Sequence, residues 1–172
     1  MENPLKTQKF HLGTQTSLRI LTIATTMAAT WLMMTSKEIA IVYGLPFEAK
    51  FSYVSAFKFF SYANAIACGF MAVSLLFLFI FGRKGLTPSW FFILFLHDLC
   101  MFSLVLSGVA AATAIGLVGR YGNSHAGWMP ICDNMSKFCK RVTISSAFGY
   151  CSVILLLLLS IMAASKSRQI KV

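Results

Sequence analysis

The chain has 172 residues, 58% of them apolar and only 12% charged, with 16 Phe and 9 Met. Soluble domains run at about 45–50% apolar and about 25% charged, so a soluble enzyme, a secreted disulfide scaffold and a disordered chain are all excluded. The net charge of +10 comes from basic residues placed mostly between apolar runs, where they meet lipid headgroups. No basic stripe interleaves with exposed aromatics, so no nucleic-acid partner is expected.

In chain order, residues 1–17 are a polar lead with Lys6, Lys9 and His11, expected as a solvated tail. The first apolar run, 18–35 (LRILTIATTMAATWLMMT), exceeds the roughly 7–15-residue core of a signal peptide and has no A-x-A site after it. It predicts a retained helix. Further runs cover 56–81, 89–119 and 142–164, separated by a loop at 36–55, a short turn at 82–88 and a loop at 120–141. A bilayer needs about 20 helical residues, so each run crosses once, and the long third run must tilt or project. Thr22, Thr25, Thr26 and Thr30 favour strand locally, but in lipid the need to satisfy every backbone group outweighs that preference. The predicted fold is an all-α, integral membrane four-helix bundle, with residues 165–172 as a second short tail.

Four spans place both termini on one side. That side carries Lys6, Lys9, Arg83, Lys84, Lys166, Arg168 and Lys171 in short segments, which favours cytoplasmic termini. Cys132 and Cys139 fall in the 120–141 loop, seven positions apart, and would close a disulfide in an oxidising outer compartment. Asn134-Met135-Ser136 in the same loop is a glycosylation sequon that matters only outside. Cys68, Cys100 and Cys151 lie within spans and are expected to serve packing.

Ionisable residues at membrane depth are costly and stand as site candidates. Lys58 sits near the start of its span and can snorkel outward. Arg19 and Asp98 both belong to the cytoplasmic half, and pairing them would keep the carboxylate ionised and fix the registry of two helices. The competing expectation is a proton or cation relay through His97 and Asp98, in a small transporter or channel subunit. Asn64 is the one obvious further polar group, and a relay would normally need more. A zinc set from His125, Cys132, Asp133 and Cys139 is disfavoured by the oxidising loop. With no phosphate-cradling glycine loop and no nucleophile elbow, no enzyme activity, metal or cofactor is expected.

Gly108, Ala112 and Gly116 recur every four residues in the third span, with Ser103 and Ser107 before them. Ala65 and Gly69, and Ser145 and Gly149, repeat that spacing. Such faces let helices approach closely, within one bundle or between copies.

The strings LRILTIATTMAA, FFSYANAIACGF, HDLCMFSLVLSG with AAATAI, and GN…W…IC…FCKR together resemble the plant Casparian strip membrane domain proteins, in their broader "like" group. That family is in turn related to the four-span MARVEL domains. The resemblance spans about residues 15–165. It implies four spans, cytoplasmic termini, an Arg in the first span and an Asp in the third, which fall on Arg19 and Asp98. It also implies a plasma-membrane scaffold forming homo- and hetero-oligomers, which organises membrane domains and recruits wall-modifying enzymes. The loop SKEIAIVYGLPFEAKFSYVS lacks the charged, aromatic signature of the strip-forming members. A general scaffold is therefore the expectation here, rather than a component of the strip.

Overall fold

The computed structural model describes residues 4–42, 45–81 and 88–168. Four long helices dominate it: α1 (Pro4–Met34), α2 (Ser55–Phe81), α3 (Pro88–Tyr121) and α4 (Ser136–Arg168). Each is long and apolar enough to cross a membrane. They pack as a closed ring, α1 on α2 and α4, and α3 on α2 and α4. Phe60, Met71, Val105, Val109, Leu156 and Leu159 form its buried core. Many other large apolar side chains, including Trp31, Phe70, Leu76 and Ile154, face outward, as lipid-facing positions do.

Every helix runs past the apolar segment that marks it in the sequence. The lead before residue 18 is helical from Pro4 onward, so it is not simply a solvated tail. Proline suits a first helical turn, where its missing N–H would have no partner, and Lys, Gln and Leu are good helix formers. Gln15 from this segment is buried, and His11 is half-buried with its Nδ1 shielded from solvent. At the other end, α4 begins at Ser136 instead of 142, making the polar SKFCKR segment helical. The 82–87 part of the short turn, with Arg83 and Lys84, and Lys171 of the C-terminal tail lie outside the described residues.

The threonine-rich α1 keeps its helix because the hydroxyls in its apolar part are satisfied locally. Thr22, Thr26 and Thr30 donate to the carbonyls of Leu18, Thr22 and Thr26 at 2.8, 2.8 and 2.9 Å. A polar side chain bonded to its own helix presents little uncompensated polarity to lipid. Two serines of α4 reach across to α1 instead: Ser145 donates to Ala29 O at 2.7 Å, and Ser152 to Thr25 Oγ1 at 2.8 Å.

The 36–55 loop, expected as a plain connection, holds a hairpin. β1 (Lys37–Val42) and β2 (Leu45–Lys50) pair antiparallel, with Lys37 opposite Lys50 and Val42 opposite Leu45. Alternation of Ile39 and Ile41 with smaller residues suits a half-buried ribbon. Ala40 and Ala49 pack on the bundle core, while Ile39 and Ile41 face outward. The hairpin, the 120–141 loop and four helix ends form one crown. Glu38 Oε2 accepts from the Phe138 N–H at 2.6 Å, capping α4 from β1. Arg141 Nη1 donates to Thr35 O at 2.8 Å, and the Phe57 and Phe138 rings lie 6.1 Å apart. Gly122 takes a φ of 69° where α3 ends, and a Cβ there would sit 2.5 Å from Trp128 O. Only glycine fits that turn.

Candidate functional site

Two clusters of polar groups sit apart in the bundle. At the midpoint of α1, Arg19 faces Asp98 of α3 with both side chains at 0% exposure. Nη1 donates to Asp98 Oδ1 at 2.9 Å and Nη2 to Oδ2 at 2.7 Å, a two-pronged arrangement that matches the planar fork to the carboxylate. Nη1 also donates to Ser74 Oγ at 2.7 Å, and Ser74 in turn donates to Met71 O at 2.9 Å. His97 Nδ1 lies 3.1 Å from Asp98 Oδ1, and its ring, 21% exposed, leans toward Phe70 at the bundle surface. Three helices thus meet at one guanidinium. Asn64 stands apart: ten residues from Ser74, about 15 Å along α2, it donates through Nδ2 to Phe60 O at 2.9 Å.

Arg19 and Asp98 are visible in the sequence as intramembrane charges. Ser74 is not, because nothing separates a guanidinium-binding serine from the many serines that back-bond to their own helix.

In the crown, Cys132 and Cys139 form a disulfide with Cα atoms 5.7 Å apart. This occupies two members of the zinc set considered above, and among the described residues no group of three metal-ligating side chains gathers. Asn134, inside the bracket, is exposed. Cys68 is half-buried, with Sγ 3.8 Å from Ile23 O, whereas Cys100 and Cys151 lie on exposed faces outside the packing. Glu48 of β2 bonds Lys37 at 3.0 Å and Tyr53 at 3.1 Å. The Lys37 hydrogen bond, then that of Tyr53, holds its carboxyl below the ordinary value, and the same contact raises the Tyr53 phenol.

The small-residue faces divide sharply. Gly108 is in close contact: a Cβ there would meet Ala63 Cβ at 3.2 Å and Phe60 Cα at 3.3 Å. Ala112 is buried beside it. Gly149 is tighter still, its Cβ position only 2.7 Å from Val109 Cγ2 and 2.9 Å from Phe60 Cε2. Gly116 is looser, with Val142 Cγ1 at 3.9 Å. Ala65, Gly69, Ser103 and Ser107 are not internal packing residues; all four lie on outward faces, and a Cβ at Gly69 meets nothing within 4 Å.

A four-helix membrane bundle with one buried, doubly bonded Arg–Asp pair and a disulfide-braced crown at one end defines the class of this protein. The family model described as the Casparian strip membrane protein domain matches residues 9–155. CASP-like protein 1F1 of Vitis vinifera is 57% identical over 169 residues, covering 98% of this chain and 82% of the relative. CASP-like protein 1F2 of Populus trichocarpa is 56% identical over 169 residues, 98% of this chain and 93% of its own length. CASP-like protein 1F1 of Arabidopsis thaliana is 43% identical over 164 residues, 95% and 94% of the two chains. The chain belongs to the Casparian strip membrane protein domain family. No solved structure matches it significantly.

Proposed function

We propose that this protein is a non-enzymatic scaffold of the plasma membrane, with cytoplasmic termini, that assembles with copies of itself and with related membrane proteins. Through those assemblies it organises membrane domains and local wall modification, with wall-modifying enzymes as its partners. The observation that carries this reading is the Arg19–Asp98 pair. Both charges are spent on each other and on Ser74 with neither exposed, an arrangement suited to fixing helix registry. Outward-facing Ala65 and Gly69 on α2, and Ser103 and Ser107 on α3, offer small-residue faces that no helix covers among the described residues. In lipid such faces support close helix association between chains. The disulfide supports an oxidising, outer position for the crown, and with it cytoplasmic termini.

The test is lateral mobility of a fluorescently tagged full chain in plant cells, measured by photobleaching together with ion flux across the same membrane. A scaffold gives slow recovery in patches and no flux that depends on Asp98. Free diffusion with pH-dependent flux, lost in Asp98→Asn, would replace this reading with the transporter, in which His97 and Asp98 relay protons.

A further inference from the structure

A cavity of about 660 Å³ opens in the crown between the end of α3 and the first turns of α4. Pockets that hold small ligands span about 300–1,000 Å³. Its wall has an apolar part and a charged part. Ile115, Gly116, Val142 and Ile144 lie on the bundle side, and Arg120, Lys140 and Asp133 on the loop side. The two glycines of this stretch make the room: a Cβ at Gly119 meets nothing within 4 Å, and one at Gly116 meets only Val142 at 3.9 Å.

The surroundings place the cavity at headgroup level. The 34 residues of α3 run about 51 Å at about 1.5 Å per residue, well beyond a hydrocarbon core of about 30 Å. Its last turn carries Arg120 and an exposed Tyr121, with the guanidinium 5.8 Å from the ring centroid. Basic and aromatic residues together mark a membrane–water boundary. On the bundle side, Ile115 and Ile144 are both partly exposed, so the cavity is open toward the bilayer. Among the described residues neither Arg120 nor Lys140 takes part in an ion pair. Two unpaired cations against one carboxylate, above an apolar wall, complement a phosphate joined to a hydrocarbon chain.

We infer that this cavity binds one phospholipid from the adjoining leaflet, its phosphate on Arg120 and Lys140 and the upper part of an acyl chain along Gly116, Gly119, Val142 and Ile144. The lipid would fill the gap between α3 and α4 that Gly116 leaves and tie the crown to the membrane surface.

The test uses the full chain in phosphatidylcholine vesicles containing phosphatidylglycerol with a photoactivatable diazirine in its acyl chain. Cross-linked peptides are mapped by mass spectrometry. Labelling should concentrate on the segments around 115–119 and 142–144. Each cation near a membrane surface contributes enough to change lipid affinity about fivefold, so Arg120→Gln with Lys140→Gln should lower that labelling by more than tenfold while other lipid-facing peptides stay unchanged. Gly119→Leu should fill the cavity and abolish it. Should Gly119→Leu fail to fold, the double charge variant, altered only at exposed side chains, decides alone. Uniform labelling around the bundle, or labelling that survives the charge variant, overturns the inference. Cross-linking of these peptides to a second copy of the chain would make the cavity an interface and overturn it too. So would competition by millimolar inorganic phosphate, which would mean an anion site without lipid recognition.

Discussion

Away from the crown, α1 and α3 are joined by a guanidinium and a carboxylate with no exposed surface, with Ser74 as a third partner. In the crown, the chain is joined by a disulfide, by Glu38 capping α4 and by Arg141 reaching Thr35 O. Water accounts for the difference. Inside lipid a broken polar contact has no substitute partner, and both prongs of the guanidinium are accordingly engaged, although Arg19 Nε and Asn64 Oδ1 stay buried without a partner. In the crown water can replace any lost hydrogen bond, so each such bond contributes modestly and a covalent bracket supplements them. The inner site is therefore the sensitive one and the crown the tolerant one.

The sharpest way to break that comparison is Asp98→Asn, which leaves a buried guanidinium without its counter-charge. Loss of one partner of a buried pair typically costs about 3–5 kcal/mol. Resistance to unfolding in detergent micelles and delivery to the cell surface should both fall, and exchanging the charges (Arg19→Asp with Asp98→Arg) should recover part of the loss. Unchanged stability in Asp98→Asn would mean that the pair is not what holds α1 to α3.

A smaller effect is expected from cutting the crown's bracket. Chain-entropy arguments give about 2–3 kcal/mol for so short a loop. Cys132→Ser with Cys139→Ser should lower the unfolding midpoint by less than Asp98→Asn does, without impairing helix packing. Alkylation of both thiols in unreduced protein from cells would show the bracket absent there.

Glycine substitutions sharpen the contrast between inward and outward faces. Gly149→Ala places a methyl 2.7 Å from Val109 Cγ2, and overpacking of this kind costs about 1–3 kcal/mol. Gly69→Ala meets nothing and should leave monomer stability level or slightly raised. Thermal unfolding of the two variants side by side distinguishes them, and equal losses would put Gly69 in a contact.

The smallest expected effect is the pH response of the hairpin. Glu48 is held below its ordinary value of 4.5, so its contribution is fully present above that value and fades as pH falls through the lower folded value. Because the group is exposed, the change should appear as loosening of the Lys37–Glu48 contact in side-chain NMR, with no unfolding of the bundle.

The sequence carries the inner half of this comparison better than the outer half. The number and order of the helices follow from apolar length, and Arg19 and Asp98 stand out because charges in such runs are rare. The hairpin of 37–42 and 45–50 is not legible in the sequence because a segment between two spans reads as connection. Ile39 and Ile41 alternate as strand residues do, yet six-residue strands carry a weak local signal. Small-residue spacing identifies faces without saying which way they turn. Gly149 and Gly69 have similar four-residue partners, and only the azimuth of each helix in the ring makes one an internal contact and the other a lipid-facing surface. The helical lead from Pro4 is illegible for a related reason, since Gln15 and His11 look like solvent residues until the fold covers them.

The inner pair also has a consequence for biogenesis. Asp98 lies 79 residues after Arg19, so α1 leaves the ribosome long before its counter-charge exists. Until α3 arrives, the arginine has to stay near the headgroups, stretched toward water, because a lone guanidinium at depth is costly. Seating α1 at its final height therefore depends on a helix made two spans later. Insertion is then a joint event of α1 and α3, and a chain stopped before residue 98 should leave its first helix shallow, exchangeable and open to quality control.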